Sequence, residues 1–196
     1  MSGGQSMRHT NLHDVELAGL AGAGDRGAFG ELVRRHGSAV RALVRRMGAA
    51  NAEADDVTQD AFLAAFENIA DYRGEGAFAG WVKRIAVRQY LRRLQRSKRL
   101  AAISAENTEL EVAVGGVESL AAGKIDLDAA LNALTLPERL SVGMCYGAGL
   151  SHVEAAEALN LPLGTVKSHV KRGLEKLRVR LASVSDVGAK GSVVHG

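Results

Sequence analysis

Cysteine, proline and aromatic residues are scarce in this chain of 196 residues, and each scarcity excludes something. The single cysteine, Cys145, cannot close an intramolecular disulfide, so no disulfide scaffold holds the fold. Aromatic residues make up 4% and the only prolines are Pro137 and Pro162, whereas sheets favour aromatic and β-branched residues and all-β folds are rich in proline turns. An all-α fold is the expectation. No run of 18 apolar residues is present to span a bilayer, and the opening stretch MSGGQSMRHTNLHDVE lacks the apolar core of a signal peptide. These absences predict a protein of a reducing cytoplasm with no membrane insertion.

What is present is ordinary globular material: 46% hydrophobic and 24% charged residues in 20.6 kDa, enough for one compact domain or two small ones. Phe29, Leu32, Val33, Val40, Leu43, Val44 and Met47 recur at three- and four-residue steps and predict an amphipathic helix between Asp25 and Met47, with Gly37 as a point of bending. Val57, Ala61, Phe62, Leu63, Ala65, Phe66 and Ile69 predict a second, after the acidic stretch AEADD, which suits a helix N-terminus. A third runs from about Phe78 to Arg99. Residues 1–12 and 183–196 read as loosely ordered tails, and 101–125 as a tethering linker between two halves.

Charge is unevenly spread. The net charge is +3 and the pI about 9.2. Yet Trp81 to Arg99 holds eight Lys/Arg and no acid, with Arg84, Arg88 and Arg92 on one helical stripe, while Asn51 to Gly76 holds seven acids against Arg73 alone. Like charges four apart destabilise a helix by roughly 0.2 to 0.5 kcal/mol per pair unless compensated. The basic stripe reads as a phosphate-binding face or as a solvated surface, and the opposed acids as a second partner's site or as an ion-pair layer between neighbouring helices.

Residues 151–181 carry the strongest local pattern. Ser151 and Glu154 form an S-x-x-E capping box, the helix they start ends at Asn160 before Pro162, and a new helix begins near Gly164 and Thr165. Val166, Val170, Leu174, Leu177 and Leu181 form its apolar stripe, with Lys167, Ser168, Lys171 and Arg172 off it. Two helices across a tight turn, the second bearing donors, form a helix-turn-helix that places side chains in a DNA major groove; the alternative is a plain helical hairpin with a basic face.

Other patterns carry little. Gly22, Gly24 and Gly27 spell G-x-G-x-x-G without a surrounding βαβ unit. The six histidines and Cys145 show no metal-ligand spacing, so neither metal nor cofactor is expected. Cys145 sits in an apolar helical context that favours burial over nucleophilicity. No carboxylate pair stands out, and no catalytic residue is expected.

Taken in order, ADDVTQDAFLAAFENI (54–69), YRGEGAFAGWVKRIAV (72–87) and PERLSVGMCYGAGLSHVEAAEALNLPLGTVKSHVKRGLEKLR (137–178) resemble regions two and four of the extracytoplasmic-function (ECF) sigma factors of bacterial RNA polymerase. The resemblance implies two small helical domains, region 2 over 13–100 and region 4 over 126–182, joined by a flexible linker. It further implies that Asp55, Asp56, Gln59 and Asp60 bind core polymerase at the β′ clamp helices. Tyr72 and Arg73, in a base-capturing loop running to Ala77, and Arg84, Arg88 and Arg92 would meet the minus-ten element. Thr165, Lys167, Ser168, His169, Lys171 and Arg172 would meet the minus-thirty-five element, with region 4 contacting the β flap. Trp81 matches the family as well, although its position also suits a core residue. An anti-sigma factor clamping the two domains is the implied regulator. The family often has Asn and Asp at Arg88 and Arg92, and bulkier residues at Gly143 and Gly147; each helical glycine costs about 1 kcal/mol against alanine, which predicts a marginally stable second domain. The rival reading is a stand-alone helix-turn-helix regulator whose first half senses or dimerises.

Overall fold

A computed structural model describes residues 9–105 and 127–190, with side chains over 9–99 and 127–182. Every regular element in them is helical. The first half holds α1 (Asp14–Gly22), α2 (Arg26–Arg46), α3 (Asn51–Glu67) and α4 (Phe78–Ala105), with a short 3-10 turn at Ile69–Asp71. The second holds α5 (Leu127–Asn132), α6 (Leu136–Val142), a π-helical turn (Gly143–Gly147), α7 (His152–Leu159) and α8 (Leu163–Lys190).

Local chemistry sets the helix starts. Asp25 caps α2 by accepting from the backbone amides of Gly27 at 2.8 Å and Ala28 at 3.1 Å, and the helix runs without a break through Gly37, where a bend was expected. The Ala28 amide, helped by His9, holds the Asp25 carboxyl below its ordinary range. Helix α3 starts at Asn51, so the AEADD acids lie inside it and only Glu53 falls in the first turn. Leu32, Val40 and Val44 of α2, Val57 and Ala61 of α3, and Phe78, Val82, Ala86 and Val87 of α4 are fully buried together. Phe29 adds edge contacts to Phe62 at 6.3 Å and Phe66 at 4.9 Å.

The expected boundaries shift in three places. Helix α4 continues to Ala105, into the stretch expected to be linker, and α8 continues to Lys190, into the expected tail; Leu100 and Ile103, and Val184 and Val187, keep a three-residue apolar step there that the expected boundaries left out. At the other end, His9 to Leu12 are fastened to the helices. The expected linker from 106 on, and the outermost tails at 1–8 and 191–196, lie outside the described residues.

The two small helical domains pack against one another. Leu140, Met144, Ala148, Ala155, Val166 and Val170 belong to the same apolar cluster as the first half's core. A β-carbon at Gly143 would stand 2.7 Å from Met47 Cγ, and one at Gly147 would collide with the Leu43 Cδ1 methyl. The two glycines expected to weaken the second half are thus the points where the halves approach closely. Polar contacts flank them: Arg84 donates to the Gly149 carbonyl at 3.0 Å, and Arg46 pairs with Asp128 at 3.2 Å.

Arg35 holds the N-terminal segment. Its guanidinium donates to the carbonyls of His9 (3.2 Å), Thr10 (2.8 Å) and Leu12 (2.8 Å), and pairs with Asp14 and Glu31. Glu31, buried at 8% exposure, also takes a two-point contact from Arg34. Arg34 and then Arg35 pull its carboxyl down to about 2. A native pKa below the unfolded one adds stability above the ordinary carboxylate range, and that stability is lost as pH falls toward the native value. Urea unfolding followed by circular dichroism across this range should show Glu31→Gln less stable at neutral pH and with a flatter decline between pH 4.5 and about 2 than the wild type; an identical slope would place the acid sensitivity elsewhere.

Candidate nucleic-acid interface

Four surfaces collect the residues singled out by sequence. The first is the outer face of α3. Asp55 takes a two-point ion pair from Arg41, and Arg93 of α4 reaches Asp60 at 2.5 Å and Asp56 at 3.4 Å. An ion-pair layer between neighbouring helices is therefore part of what the acids do. The three carboxylates stay accessible, with side-chain exposures of 56%, 64% and 46% for Asp55, Asp56 and Asp60, and Gln59 is exposed beside them. Arg41 holds the Asp55 carboxyl below its usual range. An open apolar groove of about 550 Å³ runs alongside, between α2 and α3, walled by Phe29, Val33, Phe62, Leu63 and Phe66 and rimmed by Asp55 and Gln59. Sequence alone did not reveal the groove, because its walls come from two helices.

The second surface is the loop of residues 72–77. Gly74 (φ +75°) and Gly76 (φ +88°) take left-handed conformations that suit glycine, and the Tyr72 hydroxyl donates to the Gly76 carbonyl at 2.8 Å, closing the loop on itself. Tyr72 meets Phe78 edge-on at 5.4 Å and Trp81 at 5.5 Å, so Trp81 is half-buried in an aromatic cluster that supports the loop. Phe78 also meets His36, which Asp14 holds at 2.7 Å. Burial, with the nearby Asp14 charge, pushes the Tyr72 hydroxyl pKa up, keeping it a donor. Arg73 is exposed.

Third, α4 presents Arg84, Arg88 and Arg92 outward while Val82, Ala86 and Tyr90 are buried on its other side. The stripe faces α7 across a hollow of about 380 Å³ that Glu154 and Glu157 also line. Arg84 lies 3.6 Å from the Glu154 carboxylate.

The fourth surface is α8. The Ser151 and Glu154 box forms, with Glu154 N donating to Ser151 Oγ at 3.2 Å and Ser151 N to Glu154 Oε2 at 2.7 Å. The hydrogen bond from the Ser151 backbone amide, and then the Ser151 side chain, hold the Glu154 carboxyl below its usual value. Asn160 ends α7 in a left-handed conformation (φ 51°), and Ala155 and Ala156 let α8 pack close. Val166, Val170 and Leu177 are buried, which leaves Lys167, Ser168, Lys171 and Arg172 exposed and Thr165 and His169 half-buried. Ser168 spends its proton on the Gly164 carbonyl at 2.8 Å, and Arg172 lies 3.1 Å from His169 Nδ1.

Sequence reading missed the residue that seats this helix. Glu138, buried, accepts from Lys176 at 2.7 Å and from the Thr135 amide at 3.0 Å, tying α6 to α8. Burial pushes its carboxyl up, but Lys176 and Thr135 together outweigh that and leave it lowered. Thr135 to Glu138 is a second T-x-x-E capping box, a signal legible in the sequence. Among the described residues no His, Cys, Asp or Glu group could hold a metal ion, and burial raises the Cys145 thiol. No helix among them is long and apolar enough to cross a membrane.

An acidic helix, a basic helix and a helix-turn-helix in this order define a class, and comparison with known proteins gives it a family. Residues 32–100 match the model of sigma-70 region 2 and residues 130–179 that of sigma-70 region 4. The chain is 34% identical to the RNA polymerase sigma factor NccH of Alcaligenes xylosoxydans xylosoxydans, over 87% of this chain and 95% of that one. It is 31% identical to the ECF RNA polymerase sigma factor SigW of Bacillus subtilis, over 81% and 91% respectively. The structure of CnrH in complex with the cytosolic domain of CnrY superposes with a TM-score of 0.51 at 28% identity, covering 89% of this chain and 97% of that one. The chain belongs to the ECF sigma factors of RNA polymerase and is a transcription initiation factor. The stand-alone regulator reading falls away, since it gave the first half no polymerase-binding role.

Replacing Ser151 by Ala removes the cap on which α7 starts and should cost about 0.5 to 2 kcal/mol. Chemical denaturation of the full chain measures it; a loss below that range would show that the Glu154 arm alone holds the turn.

Proposed function

We propose that the exposed acids of α3, with Gln59, engage core RNA polymerase at its β′ clamp helices, while the 72–77 loop and the α4 arginines engage the minus-ten element. Helix α8 takes the minus-thirty-five element through Thr165, Lys167, Ser168, His169, Lys171 and Arg172, with its domain against the β flap. The observation that carries this reading is the polarity of adjoining helices: accessible carboxylates on α3 back onto a row of outward arginines on α4. One face meets protein and the other phosphates. Lys and Arg on α8 suit guanine edges and phosphates, and the Ser168 oxygen keeps acceptor capacity.

The chain acts by binding energy with no chemistry of its own, in the bacterial cytoplasm where polymerase works. An anti-sigma factor is its regulator. Two features support that: the similar CnrH has a structure in complex with the cytosolic domain of CnrY, and the α2–α3 groove offers an apolar seat beside the acids assigned to polymerase.

Co-purification with core polymerase and promoter-dependent transcription in a reconstituted system test the reading. Charge reversal at Arg88 or Arg92 should weaken promoter opening more than core binding, and reversal at Asp56 should do the opposite. Equal loss of both activities in either variant would overturn the assigned roles, and no core binding at low salt would overturn the whole.

A further inference from the structure

We propose that Asp14 and His36 are positioning residues for the 72–77 loop, so that the segment from His9 to Asp14 belongs to the machinery that reads the minus-ten element. This rests on the assignment of Tyr72 and Arg73 to that element. A short loop with two left-handed glycines has much conformational freedom to lose when it is held in one shape. The hydrogen bond from Tyr72 to Gly76 ties it internally, and further support comes from outside the loop.

Phe78 is the hub of that support. It is fully buried, and its ring meets Tyr72 at 5.4 Å, Trp81 at 5.6 Å and His36 at 5.6 Å. Tyr72 belongs to the loop and Trp81 to α4, whereas His36 enters the cluster from α2. Asp14, the first residue of α1, aims the His36 ring. An ionised carboxylate can only accept, so Asp14 Oδ2 accepts from His36 Nε2 at 2.7 Å while Oδ1 accepts from Arg35 Nη1 at 3.0 Å. One carboxylate thus closes two connections. Through Arg35 it is joined to the carbonyls of His9, Thr10 and Leu12, and through His36 to the aromatic cluster. His9 fixes the other end of the segment: it is buried beside Gly27, and its Nε2 lies 3.0 Å from Asp25.

Helix α1 also approaches the loop directly. A β-carbon at Gly74 would stand 3.3 Å from Val15 Cγ1, so the residue after Asp14 lies close against the middle of the loop. A polar route through His36 and Phe78 and an apolar one through Val15 therefore run from the start of α1 to the same six residues. Asp14 and His36 are both half-buried and act on DNA through the loop. Pre-organising a binding loop leaves its contact energy for affinity and discrimination instead of for ordering.

Two substitutions cut the polar route while keeping side-chain bulk. Asp14→Asn removes the charge that Arg35 and His36 share, and His36→Leu keeps an apolar group against Phe78 that Asp14 cannot hold. Trp81 is the chain's only tryptophan and sits in the cluster, so its fluorescence reads the cluster directly. Acrylamide should quench it more strongly in both variants than in the wild type. Base discrimination is then measured with reconstituted holoenzyme, on a promoter selected from a randomised library and varied one base at a time. A mismatched position costs roughly five- to a hundredfold in binding; at the minus-ten position most sensitive to Tyr72→Ala or Arg73→Ala, that penalty should shrink about threefold in both variants. Penalties at the minus-thirty-five element should stay at their wild-type values. A loss of folded protein lowers activity on every promoter alike and leaves these ratios unchanged.

Unchanged quenching with unchanged minus-ten discrimination overturns the inference, as does an equal loss of discrimination at both elements. The underlying assignment fails differently: Tyr72→Ala and Arg73→Ala would leave minus-ten discrimination intact. If those two variants lose it while Asp14→Asn and His36→Leu keep it, the loop reads the element and only the positioning role is wrong.

Discussion

Everything in this molecule turns on one helix being two-faced. From Trp81 to Arg99, α4 has eight cationic residues and no acid, and arginines at four-residue steps repel one another along its length. Such a helix has little reason to form alone; it forms because Phe78, Val82, Ala86, Val87 and Tyr90 are withdrawn from water against α2 and α3. Burial of one face dictates that the arginines lie on the other. It also explains Arg93, which sits at the border of the two faces and is compensated by Asp56 and Asp60 of the neighbouring helix. The acidic character of α3 thus has a structural use as well as the binding role proposed for it.

The second half is organised by hydrogen-bonded helix starts instead of by bulk. Two capping boxes, Thr135 with Glu138 and Ser151 with Glu154, start α6 and α7. A left-handed Asn160 then stops α7 in time for the turn. Glu138 serves twice, as the box acid and as the buried partner of Lys176, so the start of α6 and the position of α8 are one construction. With few large side chains of its own, this half completes its burial by borrowing the first half's core at Met47 and Leu43.

Much of the helical plan was legible in the residues because its causes are local. Ser151 and Glu154 are three apart and meet wherever a helix begins; the Val166 to Leu181 stripe needs only helical periodicity; Pro162 restricts the backbone just before it. Thr135 to Glu138 is equally legible, a T-x-x-E box spanning Pro137 in the first turn of α6. The ends of α4 and α8 were not fully legible: Leu100 and Ile103, and Val184 and Val187, continue an apolar step past Arg99 and Leu181, but among alanines, serines and a glycine so short a step does not fix where a helix stops. Nor was the grip of Arg35 on His9, Thr10 and Leu12, because an arginine's carbonyl partners leave no trace in composition.

The sequence by itself determined the helices, their apolar stripes, the turn between α7 and α8 and the opposed charges of α3 and α4, since each follows from spacing along a single chain segment. Only the tertiary structure decided which charges are paired, as with Asp55 on Arg41 and Asp60 on Arg93, and how accessible each paired carboxylate stays. It alone gave meaning to Gly143 and Gly147. In sequence they are two costly residues in a helix; in space they are the two places where Met47 and Leu43 would have to shift to admit a β-carbon. Propensity is a property of a residue and its neighbours in the chain, whereas close approach is a property of surfaces that meet only after the chain has folded.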